Sequence, residues 1–231
     1  MPEVTITSPD GTFTAYLAIP KNEKGPGILV IQEIFGINQD MRDHCDAMAA
    51  EGYFALCPDL YWRQEAGVQL TDKSKAEWEK AGQLYYSFDA DKAVEDLQIS
   101  LTYLRTVQGC TGKLGSMGFC LGGLLAYLMA SRTDSDCNVG YYGVGIEKKL
   151  GEAGNIRTPT LLHIAEQDQF VPNEIQSQIK LGLHENSNIT IHSYPHMDHA
   201  FARHNGTHYD AANTKLARKR TMDAFETALK D

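Results

Sequence analysis

The amino-acid sequence predicts an α/β protein, with a mainly parallel sheet, helices on both faces and an N-terminal antiparallel hairpin. Three observations carry this. Continuous apolar runs such as Ile28-Leu29-Val30-Ile31 and Tyr53-Phe54-Ala55-Leu56-Cys57 have the composition of strands covered on both faces. Segments of helical periodicity separate such runs, and alternating strands and helices imply parallel neighbours joined by right-handed crossovers. At the N-terminus, segments 4–7 and 13–18 alternate apolar with polar residues on either side of the turn signal Pro9-Asp10-Gly11.

Along the chain, strand 28–31 leads to a helix over 40–51, and strand 53–57 ends at Pro58-Asp59. Residues 60–88 are irregular and then amphipathic, and they contain Trp62, Trp78, Tyr85 and Tyr86. A helix over 89–107 is followed by a strand over 113–117 and an apolar helix over 123–131. Later strands are expected at 139–144, 160–165 and 190–194, with one helix over 173–183 and a last one over 209–229. With no repeat, low-complexity tract or linker, the expected organisation is a single domain over 1–231.

Bulk properties narrow the function. A formal net charge of -9 argues against a nucleic-acid partner, and the one basic run, Lys215-Leu216-Ala217-Arg218-Lys219-Arg220, reads as the solvated face of the last helix. No apolar run approaches the ~18 residues that span a bilayer. Met1-Pro2-Glu3-Val4-Thr5 lacks the basic start and apolar core of a secretory leader. The five cysteines, Cys45, Cys57, Cys110, Cys120 and Cys137, are odd in number, widely spaced and without a CxxC pair. They read as reduced thiols of a cytoplasmic protein.

The most informative stretch is Gly118-Phe119-Cys120-Leu121-Gly122, a Gly-x-nucleophile-x-Gly turn between a buried strand and an apolar helix. Such a turn forces a strained backbone at the central residue and needs small neighbours. It sets the thiol at a helix N-terminus, where backbone N–H groups favour an anion. A nucleophile there needs a base, and the base an orienting acid, following in the order nucleophile, acid, base. Asp168 lies just after strand 160–165 and is favoured over Glu166 as the acid. In the loop after strand 190–194, His199 is favoured over His196 as the base. A metal reading of His192, His196 and His199 lacks an HExxH pattern and a clear third ligand.

These residues resemble the dienelactone hydrolase family, the cysteine-dependent members of the α/β-hydrolase fold. The likeness extends to Gln32-Glu33-Ile34-Phe35-Gly36-Ile37-Asn38, Cys57-Pro58-Asp59-Leu60-Tyr61, Gly140-Tyr141-Tyr142-Gly143-Val144-Gly145, Gln167-Asp168-Gln169-Phe170-Val171-Pro172 and His199-Ala200-Phe201-Ala202-Arg203. The resemblance implies Cys120 as nucleophile, His199 as base and Asp168 as its partner, with Glu33 beside the resting thiol and active in its deprotonation. It implies an oxyanion hole from the backbone N–H groups of Leu121 and Ile34, and substrate contacts from Arg203, Phe35, Trp78, Tyr85 and Tyr141. The implied reaction opens an unsaturated lactone through an acyl-enzyme, giving maleylacetate from a carboxymethylenebutenolide. It requires neither metal nor organic cofactor, and the expected partner is a small lactone or ester, with no nucleic acid and no membrane.

The chain departs from the family at its carboxylate grip. Arg203 matches one of two arginines, but no arginine lies between Arg63 and Arg105; Trp78 stands at the second position, and Gly82 replaces a tyrosine. Lys75 or Lys80 could supply a substitute charge, though as a point charge rather than a planar fork. Two rival functions are a broader carboxylesterase or thioesterase with the same residues, and a non-catalytic thiol sensor. The four other cysteines read as structural.

Overall fold

The structure, a computed structural model, describes residues 3–230. Met1 and Pro2, on which part of the leader reading rests, and Asp231, the end of the expected domain, lie outside the described residues. The chain forms two compact units, one up to Leu114 and one from Gly115 onward.

In the first unit, β1 (Glu3–Ser8) and β2 (Gly11–Ala18) form the expected hairpin, with Ser8 opposite Gly11. β2 also pairs antiparallel with β4 (Phe54–Pro58), and β4 pairs parallel with β3 (Gly25–Ile31), so the strand order is β1-β2-β4-β3. β3 is buried at every position but its first, as its apolar run requires. Asn38 caps α1 (Gln39–Ala50), its side chain accepting the Met41 N–H at 3.2 Å. The amphipathic part of 60–88 is α2 (Lys75–Tyr86), opened by the reciprocal Ser74 and Glu77 cap. α3 (Ala90–Thr106) starts at Asp89, which accepts the N–H groups of Asp91 and Lys92.

The strand expected at 113–117 is longer: β5 runs over Cys110–Phe119. Its first four residues alternate between half-buried and exposed, so an apolar run could not reveal them. The second unit starts within β5 and continues with β6 (Cys137–Tyr141), β7 (Thr160–Ala165) and β8 (Ile189–Tyr194), all parallel, in the order β5-β6-β7-β8. β6 stops short of the expected 144, because Tyr142 takes a φ of +38° that ends the extended backbone. A 3₁₀ helix over Ile146–Asn155 follows; it buries only Ile146 and Ala153, too weak a pattern to read from sequence. α4 (Leu121–Arg132) is buried at ten consecutive positions, which suits a helix apolar all round. α5 (Asn173–Leu183) matches the expectation, and α6 (Ala211–Phe225) runs into a π turn over Glu226–Lys230.

The pleat of β6 shows which helix covers which face. Neighbouring strand residues point to opposite sides. A Cβ on Gly140 would lie 2.8 Å from the Gly123 carbonyl oxygen of α4, whereas the Tyr141 hydroxyl lies 2.6 Å from Thr221 of α6. α4 and α6 therefore sandwich β6. The basic run on α6 is mostly solvated, with Lys219 paired to Asp223, but Arg220 departs from that reading: its guanidinium sits 5.3 Å from the centroid of the Tyr194 ring. No helix among the described residues is long and apolar enough to cross a membrane.

Candidate active site

The turn from β5 into α4 takes the strained form that the pentapeptide requires. Cys120 has a φ of +55°, a value that non-glycine residues rarely adopt. A Cβ on Gly118 would lie 1.9 Å from the Gly122 carbonyl oxygen, and one on Gly123 would lie 2.5 Å from that of Tyr141. Only glycine allows these backbones to close. The Cys120 N–H donates to the Tyr141 carbonyl at 3.0 Å, tying the turn to the end of β6. Leu121, the first residue of α4, is one of the helix-start positions whose N–H has no acceptor within the helix.

The candidate acids and bases differ in burial and in distance. Asp168 Oδ2 lies 2.7 Å from His199 Nδ1, and both side chains are buried. Asp168 Oδ1 accepts the Phe170 N–H at 2.8 Å, which fixes the carboxylate plane. Glu166 is half-buried, and its backbone N–H pairs with the Tyr194 carbonyl at 3.2 Å. His196 is exposed; its φ of +64°, with +63° at Ala200, bends the loop around His199. His192 stacks on His163 at 6.1 Å, so the three histidines of the metal reading lie in different surroundings.

Two aromatic edges hold the His199 ring, Phe170 at 4.8 Å and Tyr142 at 5.1 Å. Sequence reasoning gave neither a role, although both fall within the family-like segments. Burial opposes a charge on His199, but the neighbouring Cys120 charge and the hydrogen bonds to Asp168 and Cys120 lift its pKa to about 10. With Nδ1 on Asp168, the Nε2 side of the ring is left for the thiol. Such an arrangement can take a proton from sulfur, hold it as imidazolium and return it to a leaving group.

Tyr141 does not join this group. Its hydroxyl is buried against Thr221, and its ring stacks on Phe119 at 4.7 Å; Tyr142 is the tyrosine that reaches His199. Arg203 is buried, its N–H donating to the Ala200 carbonyl at 3.0 Å.

Burial holds the Cys137 thiol at about 12 and raises those of Cys45 and Cys110 as well, which suits inert structural positions. All five cysteines are free thiols.

The residues expected from the first unit have their own setting. Glu33 is buried, two residues past β3, and its carbonyl accepts from Gln32 Nε2 at 3.3 Å. The Ile34 carbonyl accepts the Tyr61 hydroxyl at 3.1 Å. Phe35 meets Trp78 edge-on at 5.1 Å, and the indole N–H donates to the Asp72 carbonyl at 3.1 Å. Tyr85 is half-buried beside Tyr86, their ring centroids 6.0 Å apart. The substitute charges are engaged elsewhere: Lys80 pairs with Glu65 at 2.5 Å, and Lys75, almost fully exposed, lies 3.6 Å from Glu79. Arg63 is held by Asp96 and Asp10.

Parallel strands, a strained residue at a strand-to-helix turn and a buried Asp–His pair after the following strands define the class as an α/β hydrolase. A crystal structure from Klebsiella pneumoniae superposes with a TM-score of 0.85 at 27% identity, covering 97% of each chain. A family model described as "Dienelactone hydrolase family" matches residues 13–229, and the chain belongs to that family. A curated protein of Azospirillum brasilense is 47% identical over 222 residues, 95% of each chain. The carboxymethylenebutenolidase of Pseudomonas putida is 39% identical over 221 residues, 95% of this chain and 94% of that one. The protein is thus a hydrolase of ester or lactone bonds.

Proposed function

We propose that the chain hydrolyses an unsaturated lactone of the dienelactone type through a Cys120 acyl-enzyme, as the name of its Pseudomonas putida relative suggests. The observation that carries the reading is the 2.7 Å contact between buried Asp168 and His199, with Cys120 among the groups that raise the His199 pKa. In this reading His199 holds the proton taken from the thiol, and Glu33 takes part in the activation as substrate binds. Sulfur attacks the ring carbonyl, and the backbone N–H groups of Leu121 and Ile34 hold the tetrahedral oxyanion. The C–O bond breaks, and the enolate oxygen leaves with conjugation to stabilise it. Water activated by His199 then releases the acyl group, giving maleylacetate from a carboxymethylenebutenolide and regenerating the thiol.

Arg203 would bind the substrate carboxylate, with Phe35, Trp78 and Tyr85 shaping the apolar wall. Tyr141 is left out of that wall. We place the enzyme in the cytoplasm, in degradation of aromatic compounds, and read residues 1–231 as one functional domain. The engagement of Lys75 and Lys80 with carboxylates favours a second reading, a broader carboxylesterase or thioesterase using the same Cys120, His199 and Asp168.

The test is hydrolysis of a carboxylate-bearing dienelactone beside its neutral methyl ester, by the native enzyme and by Cys120→Ala. One charge-assisted hydrogen bond contributes roughly 1.5–3 kcal/mol, so a preference for the acid of about 10- to 150-fold is expected. Equal rates would make the enzyme a general esterase. A Cys120→Ala variant as active as the native enzyme would end the reading.

A further inference from the structure

Beneath the ends of β6, β7 and β8 lies a hydrogen-bonded group that the proposed chemistry does not use. His163 of β7 is fully enclosed, with Nδ1 2.7 Å from the Tyr194 hydroxyl of β8 and Nε2 3.0 Å from Thr221 Oγ1 of α6. Thr221 Oγ1 in turn lies 2.6 Å from the Tyr141 hydroxyl of β6. Thr221, 1% exposed, is thus a single hydroxyl bridging two strands from the helix that covers them. Burial, with the charges of His192 and Arg220, keeps His163 neutral. It therefore donates through one nitrogen and accepts through the other, and hydroxyls on both sides satisfy either tautomer.

The three strand residues of this group reach the Cys120–His199–Asp168 cluster through one or two backbone or packing steps. The Tyr141 carbonyl accepts the Cys120 N–H at 3.0 Å. The His163 carbonyl accepts the N–H of Tyr142 at 2.8 Å, and the Tyr142 ring edges against His199. The Tyr194 carbonyl accepts the Glu166 N–H at 3.2 Å, at the start of the turn that carries Asp168. The Tyr194 ring packs on Phe201, and Phe201 on Tyr142. Three strand ends are thereby held in one mutual register: those of β7 and β8, which lead to Asp168 and His199, and that of β6, to which the Cys120 turn is tied.

We propose that Thr221, acting with His163 and Tyr141, is a positioning residue that sets the distance between the Cys120 thiol and the His199 ring. This inference rests on the proposed role of the Cys120–His199 pair. It goes beyond that role by assigning a function to a helix hydroxyl that contacts neither group. An ordinary core threonine would leave thiol reactivity unchanged when its hydroxyl is replaced by a methyl of the same shape. A positioning hydroxyl would not, because misplacing a base by a fraction of an ångström lowers its effective concentration at the proton it must take.

The experiment compares the native enzyme with Thr221→Val, Thr221→Ser and Tyr141→Phe. The first readout, which needs no substrate, is the iodoacetamide alkylation rate of Cys120 at neutral pH, resolved from the other thiols by peptide mass spectrometry. Thr221→Val and Tyr141→Phe should alkylate about tenfold more slowly, and Thr221→Ser should stay within about twofold of native. With an ester that the native enzyme turns over, kcat should fall in parallel and KM stay within about twofold. Should Thr221→Val not fold, Tyr141→Phe carries the same expectation. A lowered melting temperature with a native alkylation rate in either variant overturns the proposal. Slowed alkylation in an enzyme that hydrolyses no lactone or ester upholds the positioning role while refuting the proposed function.

Discussion

Two turns in the second unit face each other, and both contain a non-glycine residue at positive φ. At the first, Cys120 has a φ of +55° between β5 and α4; at the second, Tyr142 has a φ of +38° just past β6. Glycine meets glycine across them: a Cβ on Gly123 would lie 2.8 Å from Gly143 Cα, and one on Gly143 would lie 2.8 Å from the Gly123 carbonyl carbon. Each strained residue costs on the order of 1–3 kcal/mol, so the surrounding packing must over-determine it. What the strain achieves differs. At Cys120 it sets a small thiol at a helix start, 8% exposed, as the proposed nucleophile. At Tyr142 it turns a large ring inward, 2% exposed, against the His199 imidazole and Phe201. Strain at one turn sets the proposed nucleophile at a helix start, and at the other it packs a ring against the proposed base.

The strongest challenge to this contrast is Cys120→Gly. It removes the proposed nucleophile and relieves the strained φ together, so activity should fall on the order of 10⁴-fold or more. Stability should stay within about 1 kcal/mol of native, a shift in Tm of at most about 4 °C for a chain of this length. A large loss of stability would show that the thiol packs rather than presents. Asp168→Asn comes next: it keeps the shape of the acid but not its charge, and kcat should drop about 10³- to 10⁴-fold with KM little changed. If kcat survives, the 2.7 Å contact is structural only.

Tyr142→Gly makes the matching change at the second turn. The lost aromatic packing, about 3–5 kcal/mol, outweighs the relieved strain, so a net loss of about 2 kcal/mol and a Tm lower by roughly 4–8 °C are expected. The rate should fall by about tenfold, far less than at Cys120, because the proposed base is only loosened whereas Cys120→Gly removes the proposed nucleophile. A Tyr142→Gly variant as stable as native would break the comparison. The smallest effect is on pH dependence. His199 has a folded pKa of about 10, above its ordinary 6.5, so its stabilising contribution is complete below about pH 6.5 and is lost as pH rises through about 10. Thermal melts should show stability falling across that alkaline window in the native protein. The fall should be shallower in Cys120→Gly, which lacks the thiol charge that helps raise His199. Equal slopes would mean that the thiol does not bear on His199.

Much of this was legible along the chain because the patterns are local. The hairpin around Pro9-Asp10, β7 and α5 follow from turn residues and apolar runs. The 3₁₀ helix, the early end of β6 and the first residues of β5 were not legible, since none of them buries a continuous apolar stripe. Cys120, Asp168 and His199 are expected from their positions relative to strands, whereas the family likeness points to Tyr141 and gives Tyr142 no role. Adjacent strand residues differ in which face they serve, and at a strand's end a single backbone angle sends one ring to Thr221 and the next to His199.

Linear order thus specified the family, the sequence of elements and the identities of the proposed nucleophile, acid and base. These depend on near neighbours in the chain, on glycines that permit a turn and on runs that fill a strand. The contrast between close neighbours, Asp168 with Glu166 and His199 with His196, rests on burial and on a 2.7 Å contact between residues 31 apart. So does the bridge from Thr221 to His163 and Tyr141, spanning 58 and 80 residues of sequence. A hydrogen bond between side chains acts over about 3 Å and is indifferent to separation along the chain, so only folding brings such partners within its reach.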